Sequence, residues 1–229
     1  MERQIDIDQI SDGKRYGLND MVKVGCNDCQ GCSACCRGMG NSIVLDPFDI
    51  CRLELNLKSS FEMLLAGPVE LHVVDGIILP NLKMSEAEES CTFLNKEGRC
   101  TIHEFRPGFC RMFPLGRLYE NRSFQYFLQV NECGKDGKTK VKVRRWIDEP
   151  RAQEYETFIS DWHYFLKELQ EHLRNDQRDG LAREVSMFVL QLFFMRPYTA
   201  QVDFYEQFAE RLAEGRQYAA SLKQQFGGV

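Results

Sequence analysis

The sequence lacks the features that mark exported or membrane-bound proteins. No stretch approaches the roughly 18 consecutive apolar residues of a transmembrane helix. The N-terminus, from Met1 to Asp8, is acidic and has no apolar segment of the kind found in secretory signal peptides. We therefore expect a cytoplasmic protein that does not associate with membranes.

The sequence also lacks the usual signs of nucleic-acid and nucleotide binding. Its formal net charge of -5 and pI of about 5.5 argue against a generally basic surface, so no nucleic-acid partner is expected. No glycine-rich loop follows a predicted strand, and no catalytic residue set is predicted. A protein partner stays open, because the basic run from Lys135 to Arg145 could dock an acidic partner or form a solvated turn. The sequence predicts no oligomeric state.

Cysteine, in contrast, is abundant and unevenly distributed. The chain has 10 cysteines, and one short stretch contains Cys26, Cys29, Cys32, Cys35 and Cys36. Buried structural cysteines usually occur singly, whereas thiols this dense usually hold a soft metal ion or an iron–sulfur cluster. Because a cytoplasmic location keeps thiols reduced, metal binding is favoured over a disulfide scaffold.

The first cysteine stretch can be grouped in two ways. Cys26, Cys29, Cys32 and Cys36 have the C-x2-C-x2-C-x3-C spacing of bacterial ferredoxins, although Arg37 stands where a proline is expected. The alternative set, which starts at Cys29 and includes Cys35, has the pattern C-x2-C-x2-C-C. Spacing alone leaves both groupings open.

Four cysteines follow at longer intervals, at Cys91, Cys100, Cys110 and Cys133. The segments 91–94 and 99–103 predict a hairpin around Asn95 to Gly98. Such a turn would bring the side chains of Cys91 and Cys100 near one another.

These motifs resemble the signature of the YkgJ-like CxxCxxCC family of zinc- or iron-chelating proteins. Besides the stretch from Cys29 to Arg37, the chain has segments similar to that family's C-x-F-L, G-x-C-x-I and R-P-x-x-C-R-x-F-P elements. Cys133-Gly134 resembles the last cysteine of the pattern, and the resemblance covers roughly residues 25–150. With the thiol density, it implies eight metal ligands: Cys29, Cys32, Cys35, Cys36, Cys91, Cys100, Cys110 and Cys133.

This ligand set predicts a metal-binding protein that holds an iron–sulfur cluster, of the [4Fe–4S] type, or zinc. Iron–sulfur is favoured because zinc usually takes paired C-x2–4-C knuckles, whereas this pattern is a dense string followed by single cysteines. The first interpretation is an accessory or electron-transfer protein. The cysteine pattern is also similar to that of flagellin lysine N-methylases, which implies an alternative, a protein-modifying enzyme that uses S-adenosylmethionine. A zinc-stabilised interaction module is the third possibility.

Other residues near or outside this pattern have simpler interpretations. Cys51 lies in a predicted amphipathic helix and is expected to be core. His103 could complete a mixed site, but we expect a partly exposed strand residue. Arg106 and Arg111 flank Cys110 and would either balance the charge of a thiolate-rich centre or form loop salt bridges.

The overall pattern predicts an α+β fold. Residues 1–140 are expected to form an irregular cysteine-rich region with short hairpins and helices, packed with a helical C-terminal region, residues 141–229. Asp46-Pro47 predicts a helix start, and Asp75-Gly76 predicts a hairpin turn. The C-terminal helices are expected to include a last helix that begins at about Ala200.

Overall fold

The computed structural model describes residues 7–26, 32–85, 89–176 and 178–224. Its helices and small antiparallel hairpins confirm the predicted α+β class, with a helical layer towards the C-terminus. The chain forms two compact units, each made of two segments. The first unit comprises residues 1–43 and 82–157, and the second comprises residues 44–81 and 158–229. The domain boundary near residue 140 stays a prediction.

The regular elements are short in the first half of the chain and long in the second. In chain order they are α1 (Ile7–Ile10), β1 (Met21–Gly25), a 3-10 turn (Ala34–Cys36), α2 (Pro47–Leu57), α3 (Phe61–Leu65), β2 (Val69–Val74), β3 (Ile77–Leu82), a second 3-10 turn (His103–Phe105), α4 (Gly108–Met112), β4 (Leu115–Glu120), β5 (Ser123–Leu128), β6 (Thr139–Lys142), α5 (Val143–Ile147), α6 (Ala152–Asn175), α7 (Leu181–Leu190), a π-helical segment (Gln191–Met195) and α8 (Phe204–Gln224). None of the described helices is both long enough and apolar enough to cross a membrane.

The described part of the first unit contains two small antiparallel sheets. Strand β1 pairs antiparallel with β6, and β4 pairs antiparallel with β5. The side chains of Val22 and Val24 form the buried face of β1. The turn between β4 and β5 consists of Asn121 and Arg122, which both have positive φ, as a two-residue type I′ turn requires.

Local capping and turn chemistry explain the first elements of the second unit. The Asp46 carboxylate accepts a hydrogen bond from the Asp49 backbone N–H at 2.9 Å, and the Asp49 carboxylate accepts one from the Asp46 N–H at 3.2 Å. This reciprocal cap starts α2 at the predicted position. Asp75 and Gly76 have φ values of 49° and 90°, which confirms the predicted hairpin turn between β2 and β3.

Aromatic side chains from α6, the π-helical segment and α8 form the core of the second unit. The Phe158 ring meets the Phe208 ring edge-on with centroids 4.6 Å apart, and Trp162 lies 4.9 Å from Phe193. All four side chains are buried, so the aromatic side chains that α6 contributes here belong to the core.

The start of the last helix differs from the prediction. Helix α8 begins at Phe204 and not at Ala200. The reason is Asp203, whose carboxylate accepts hydrogen bonds from the backbone N–H groups of Tyr205 at 3.1 Å and Glu206 at 3.4 Å. An aspartate that caps these orphan donors ends the preceding loop and begins the helix.

Candidate metal centre

The described candidate ligands all belong to the first unit. Cys32, Cys35, Cys36, Cys91, Cys100, Cys110 and Cys133 are free thiols there, together with Cys26. Cys29, the eighth predicted ligand, lies outside the described residues. Cys51 is a buried residue of α2 in the second unit, which agrees with its interpretation as core.

Backbone hydrogen bonds bring the adjacent pair Cys35 and Cys36 to Cys91. The pair closes the first 3-10 turn, and the Cys36 carbonyl accepts a hydrogen bond from the Cys91 N–H at 2.8 Å. Next to this contact, Arg37 forms an antiparallel bridge with Ser90. Two segments that are distant in the sequence are therefore held side by side through their main chains.

A tight reversal of the chain brings Cys100 to the same place. Leu94 forms one antiparallel bridge with Cys100, and the Thr101 N–H donates to the Phe93 carbonyl at 2.8 Å. The predicted reversal is therefore present, but the predicted strand over 99–103 is wrong. Because the Thr101 hydroxyl also donates to Phe93, at 3.1 Å, the chain tightens there and continues into the second 3-10 turn instead of a ladder.

These four thiols interact electrostatically. A hydrogen bond with Cys36, followed by burial, raises the pKa of the Cys35 thiol above its usual range. Burial raises the pKa of Cys91 and of Cys100, and each of these thiols also interacts with Cys35. Raised pKa values favour the neutral thiols of Cys35, Cys91 and Cys100 when no metal is bound, and a soft cation that bound them would displace their protons.

Arg106 is a positively charged residue that interacts electrostatically with Cys35 and Cys100. It lowers the pKa of Cys35 against the larger effects of the Cys36 hydrogen bond and of burial, and it lowers the pKa of Cys100 against the larger effect of burial. Its Nη1 donates a hydrogen bond to the His103 carbonyl at 2.8 Å, which holds the guanidinium in place. Arg106 can therefore offset the negative charge that thiolate ligands bring to a metal centre.

The same two roles are predicted from the sequence for Arg111 and Arg106, but the environment of Arg111 is different. It lies in α4 directly after Cys110, is almost fully buried, and pairs with Glu149 through a 2.7 Å contact between Nη1 and Oε2. Its guanidinium also lies over the Tyr155 ring, 5.1 Å from the centroid. Of the two predicted roles, the salt bridge is the one this geometry favours for Arg111.

A second group of thiols lines a narrow groove. Cys26, Cys32, Cys35 and Cys133 share its walls with Phe113, Pro114 and Trp146. The free volume is about 20 Å³, which is room for one atom-sized occupant. Cys35 belongs to both groups and so connects the groove with Cys36, Cys91 and Cys100.

The groove contains Cys26, which the first grouping includes as a ligand and the second leaves out, and Trp146, which the sequence did not indicate. Cys26 follows β1 directly and lines the groove beside Cys32. Trp146 is held by hydrogen bonds from its indole N–H to the carbonyls of Met112 and Phe113. The ferredoxin-like spacing was the signal for Cys26, whereas nothing in the local sequence marked Trp146.

The thiols share a neighbourhood without forming a finished coordination shell. Within residues 7–26, 32–85, 89–176 and 178–224, no three Cys, His, Asp or Glu side chains are placed as a ready metal-binding set. A larger cavity of about 500 Å³ lies near the start of α6, but charged residues and no thiol line it. The donor chemistry of the cysteine groups, all soft thiols, fits iron–sulfur or zinc and not a hard cation.

Comparison with known families agrees with this assignment. The family model CxxCxxCC, described as "Putative zinc- or iron-chelating domain", matches residues 28–135. The chain is similar to this family over residues 28–135. This is the family that the cysteine motifs indicated, and the match runs from the segment before Cys29 to just beyond Cys133. No curated protein and no solved structure matches the chain.

Proposed function

We propose that the CxxCxxCC domain binds iron as an iron–sulfur cluster and that the protein is a metal-binding accessory or electron-transfer protein. The observation that carries this proposal is the position of Cys35. Its thiol shares a hydrogen bond with the thiol of Cys36, interacts electrostatically with Cys91 and Cys100, and lines the groove that contains Cys26, Cys32 and Cys133. A single thiol that belongs to both groups is the natural centre of a multi-thiolate site.

The residues that would hold the metal are those of the family pattern. Cys35, Cys36, Cys91 and Cys100 would supply one set of thiolates, and Cys29, Cys32, Cys110 and Cys133 the remainder. A bound iron–sulfur cluster would supply one-electron chemistry, whose potential depends on net charge and solvent exposure. Arg106 would stabilise the anionic centre, and the half-buried positions of most of these thiols would limit its contact with water.

Zinc is the second candidate, and one observation favours it. The groove beside Cys26, Cys32 and Cys133 has about 20 Å³ of free volume, which suits one ion better than a multi-iron cluster. A zinc-stabilised interaction module would be colourless and would unfold when a chelator removed the metal.

Cysteine substitutions test the ligand assignment. Cys35→Ser, Cys91→Ser and Cys133→Ser proteins would be reconstituted anaerobically with iron and sulfide, and the iron bound per chain measured beside the wild type. Cys51→Ser is the matched control, because it removes one thiol from the second unit. We expect Cys35→Ser to lose most of its iron and Cys51→Ser to keep all of it. Equal iron content in Cys35→Ser and wild type would contradict the proposal.

The same preparation tests the protein-modifying alternative. S-adenosylmethionine added to the reconstituted protein should leave Tm unchanged if the protein is an accessory or electron carrier. A rise in Tm that saturates with concentration would favour a methyl-transferring enzyme, since a ligand that binds only the native state stabilises it.

A further inference from the structure

The exposed face of the β1–β6 ribbon concentrates positive charge in a chain that is acidic overall. Lys23 stands directly opposite Lys140 in the antiparallel register, and Met21 stands opposite Lys142. All four side chains are exposed, and the net charge of the chain is -5. We call the surface formed by Met21, Lys23, Lys140 and Lys142 the basic ribbon face.

The pairing of Lys23 with Lys140 is unfavourable by itself. Side chains directly opposite in an antiparallel pair have Cβ atoms about 4.5–5.5 Å apart, and like charges there destabilise the sheet. None of Lys23, Lys140 and Lys142 makes an ion pair with a carboxylate in the described part of the chain. The positive charges of Lys23 and Lys140 therefore repel each other in the folded protein, and a single acidic residue at either position would replace this repulsion with attraction.

The spacing on this face defines what could complement it. Lys140 and Lys142 are alternate residues of one strand, so their Cα atoms lie about 6.8 Å apart on the same side. An extended segment with carboxylates at alternate positions has the same repeat. Exposed Met21 beside Lys142 adds an apolar contact of the kind that interfaces favour.

We propose that the basic ribbon face is a docking surface for an acidic, extended segment of a protein partner. The partner's carboxylates would separate the charges of Lys23 and Lys140 and pair with Lys142. A protein segment fits better than a nucleic acid, because the net charge of -5 repels a long continuous polyanion while a short acidic segment meets only the local charge. This proposal does not depend on which metal the thiols bind.

Charge-reversal variants separate this role from a structural one. Lys140→Glu would place an attractive pair opposite Lys23, and we expect Tm to rise by about 1–3 °C. The double variant Lys23→Glu/Lys140→Glu restores like charges and should return Tm to near the wild-type value. Lys58→Glu, an exposed lysine of the second unit, changes net charge equally and serves as the control.

Binding is measured with a fluorescent peptide of alternating glutamate and serine, by anisotropy at about 20 mM and about 150 mM salt. We expect the wild type and Lys58→Glu to bind, with weaker binding at the higher salt, and Lys140→Glu to lose at least about tenfold in affinity. Absence of wild-type binding, or an equal loss in Lys58→Glu, would overturn the proposal. Tighter lysine-dependent binding to oligothymidine or to phosphatidylserine vesicles would overturn it in favour of a nucleic acid or a membrane surface.

Discussion

The buried ion pair between Arg111 and Glu149 allows a quantitative test of the reasoning about the first unit. The two side chains are only 2% and 7% exposed, and their charged atoms are 2.7 Å apart. Arg111→Met keeps much of the side-chain volume but leaves the Glu149 carboxylate buried without its arginine. Such a change costs about 3–5 kcal/mol. For a chain of this size we expect Tm to fall by roughly 6–20 °C.

The matched control is the pair Arg196–Glu214, which has nearly the same length, 2.8 Å, but whose side chains are each 51% exposed. Arg196→Met should cost about 1 kcal/mol or less, since water already solvates both charges. The double variant Arg111→Met/Glu149→Gln should recover much of the loss, because it leaves no buried charge uncompensated.

Urea unfolding is followed by Trp146 fluorescence in a Trp162→Phe background for the first unit, and by Trp162 fluorescence in a Trp146→Phe background for the second unit, which contains Arg196. Equal losses in Arg111→Met and Arg196→Met would refute the argument that burial sets the energy of this pair. Loss of bound metal in Arg111→Met without a change in stability would show instead that Arg111 balances the charge of the metal centre.

Three further predictions concern a reporter, a titrating group and a packing contact. In the Trp162→Phe background, an iron–sulfur cluster should quench Trp146 emission, whereas zinc should leave most of it, because Trp146 lines the thiol groove. Burial raises the pKa of Glu54 to about 7, so the folded state loses stability as pH rises from about 4.5 to 7. Glu54→Gln should therefore be more stable than wild type by about 1–2 kcal/mol at pH 8 and no more stable at pH 4, as measured by urea unfolding. Gly215→Ala should destabilise by about 1–2 kcal/mol despite the better helix propensity of alanine, because a Cβ would lie 2.8 Å from the buried Phe165 ring; an increase in Tm would contradict this packing argument.

Features that depend on neighbouring residues were predictable from the sequence. The Asp46 cap and the Asp75-Gly76 turn act through their own backbone geometry, so their elements begin and end where the local pattern indicates. The start of α8 was missed although Asp203, with Glu206 three residues later, has the sequence pattern of a helix N-terminus, and the hydrogen bonds of Asp203 show that it is the cap.

Features of the site that depend on long-range contacts were not predictable. The motifs indicated the CxxCxxCC family and its eight candidate ligands, but not the backbone contact that places Cys36 beside Cys91. Arg106 and Arg111 have similar sequence surroundings, yet one acts on the thiols and the other pairs with Glu149, which follows Arg111 at a distance in the chain. Such differences arise from tertiary packing, and a local sequence pattern does not predict tertiary packing.

The most direct test of the central claim is anaerobic purification followed by an absorption spectrum and by iron, sulfide and zinc analysis of one sample. We predict a brown protein with a broad band near roughly 400 nm and with iron matched by sulfide. A colourless protein with zinc bound, and without that band even after reconstitution with iron and sulfide, would contradict the iron–sulfur assignment.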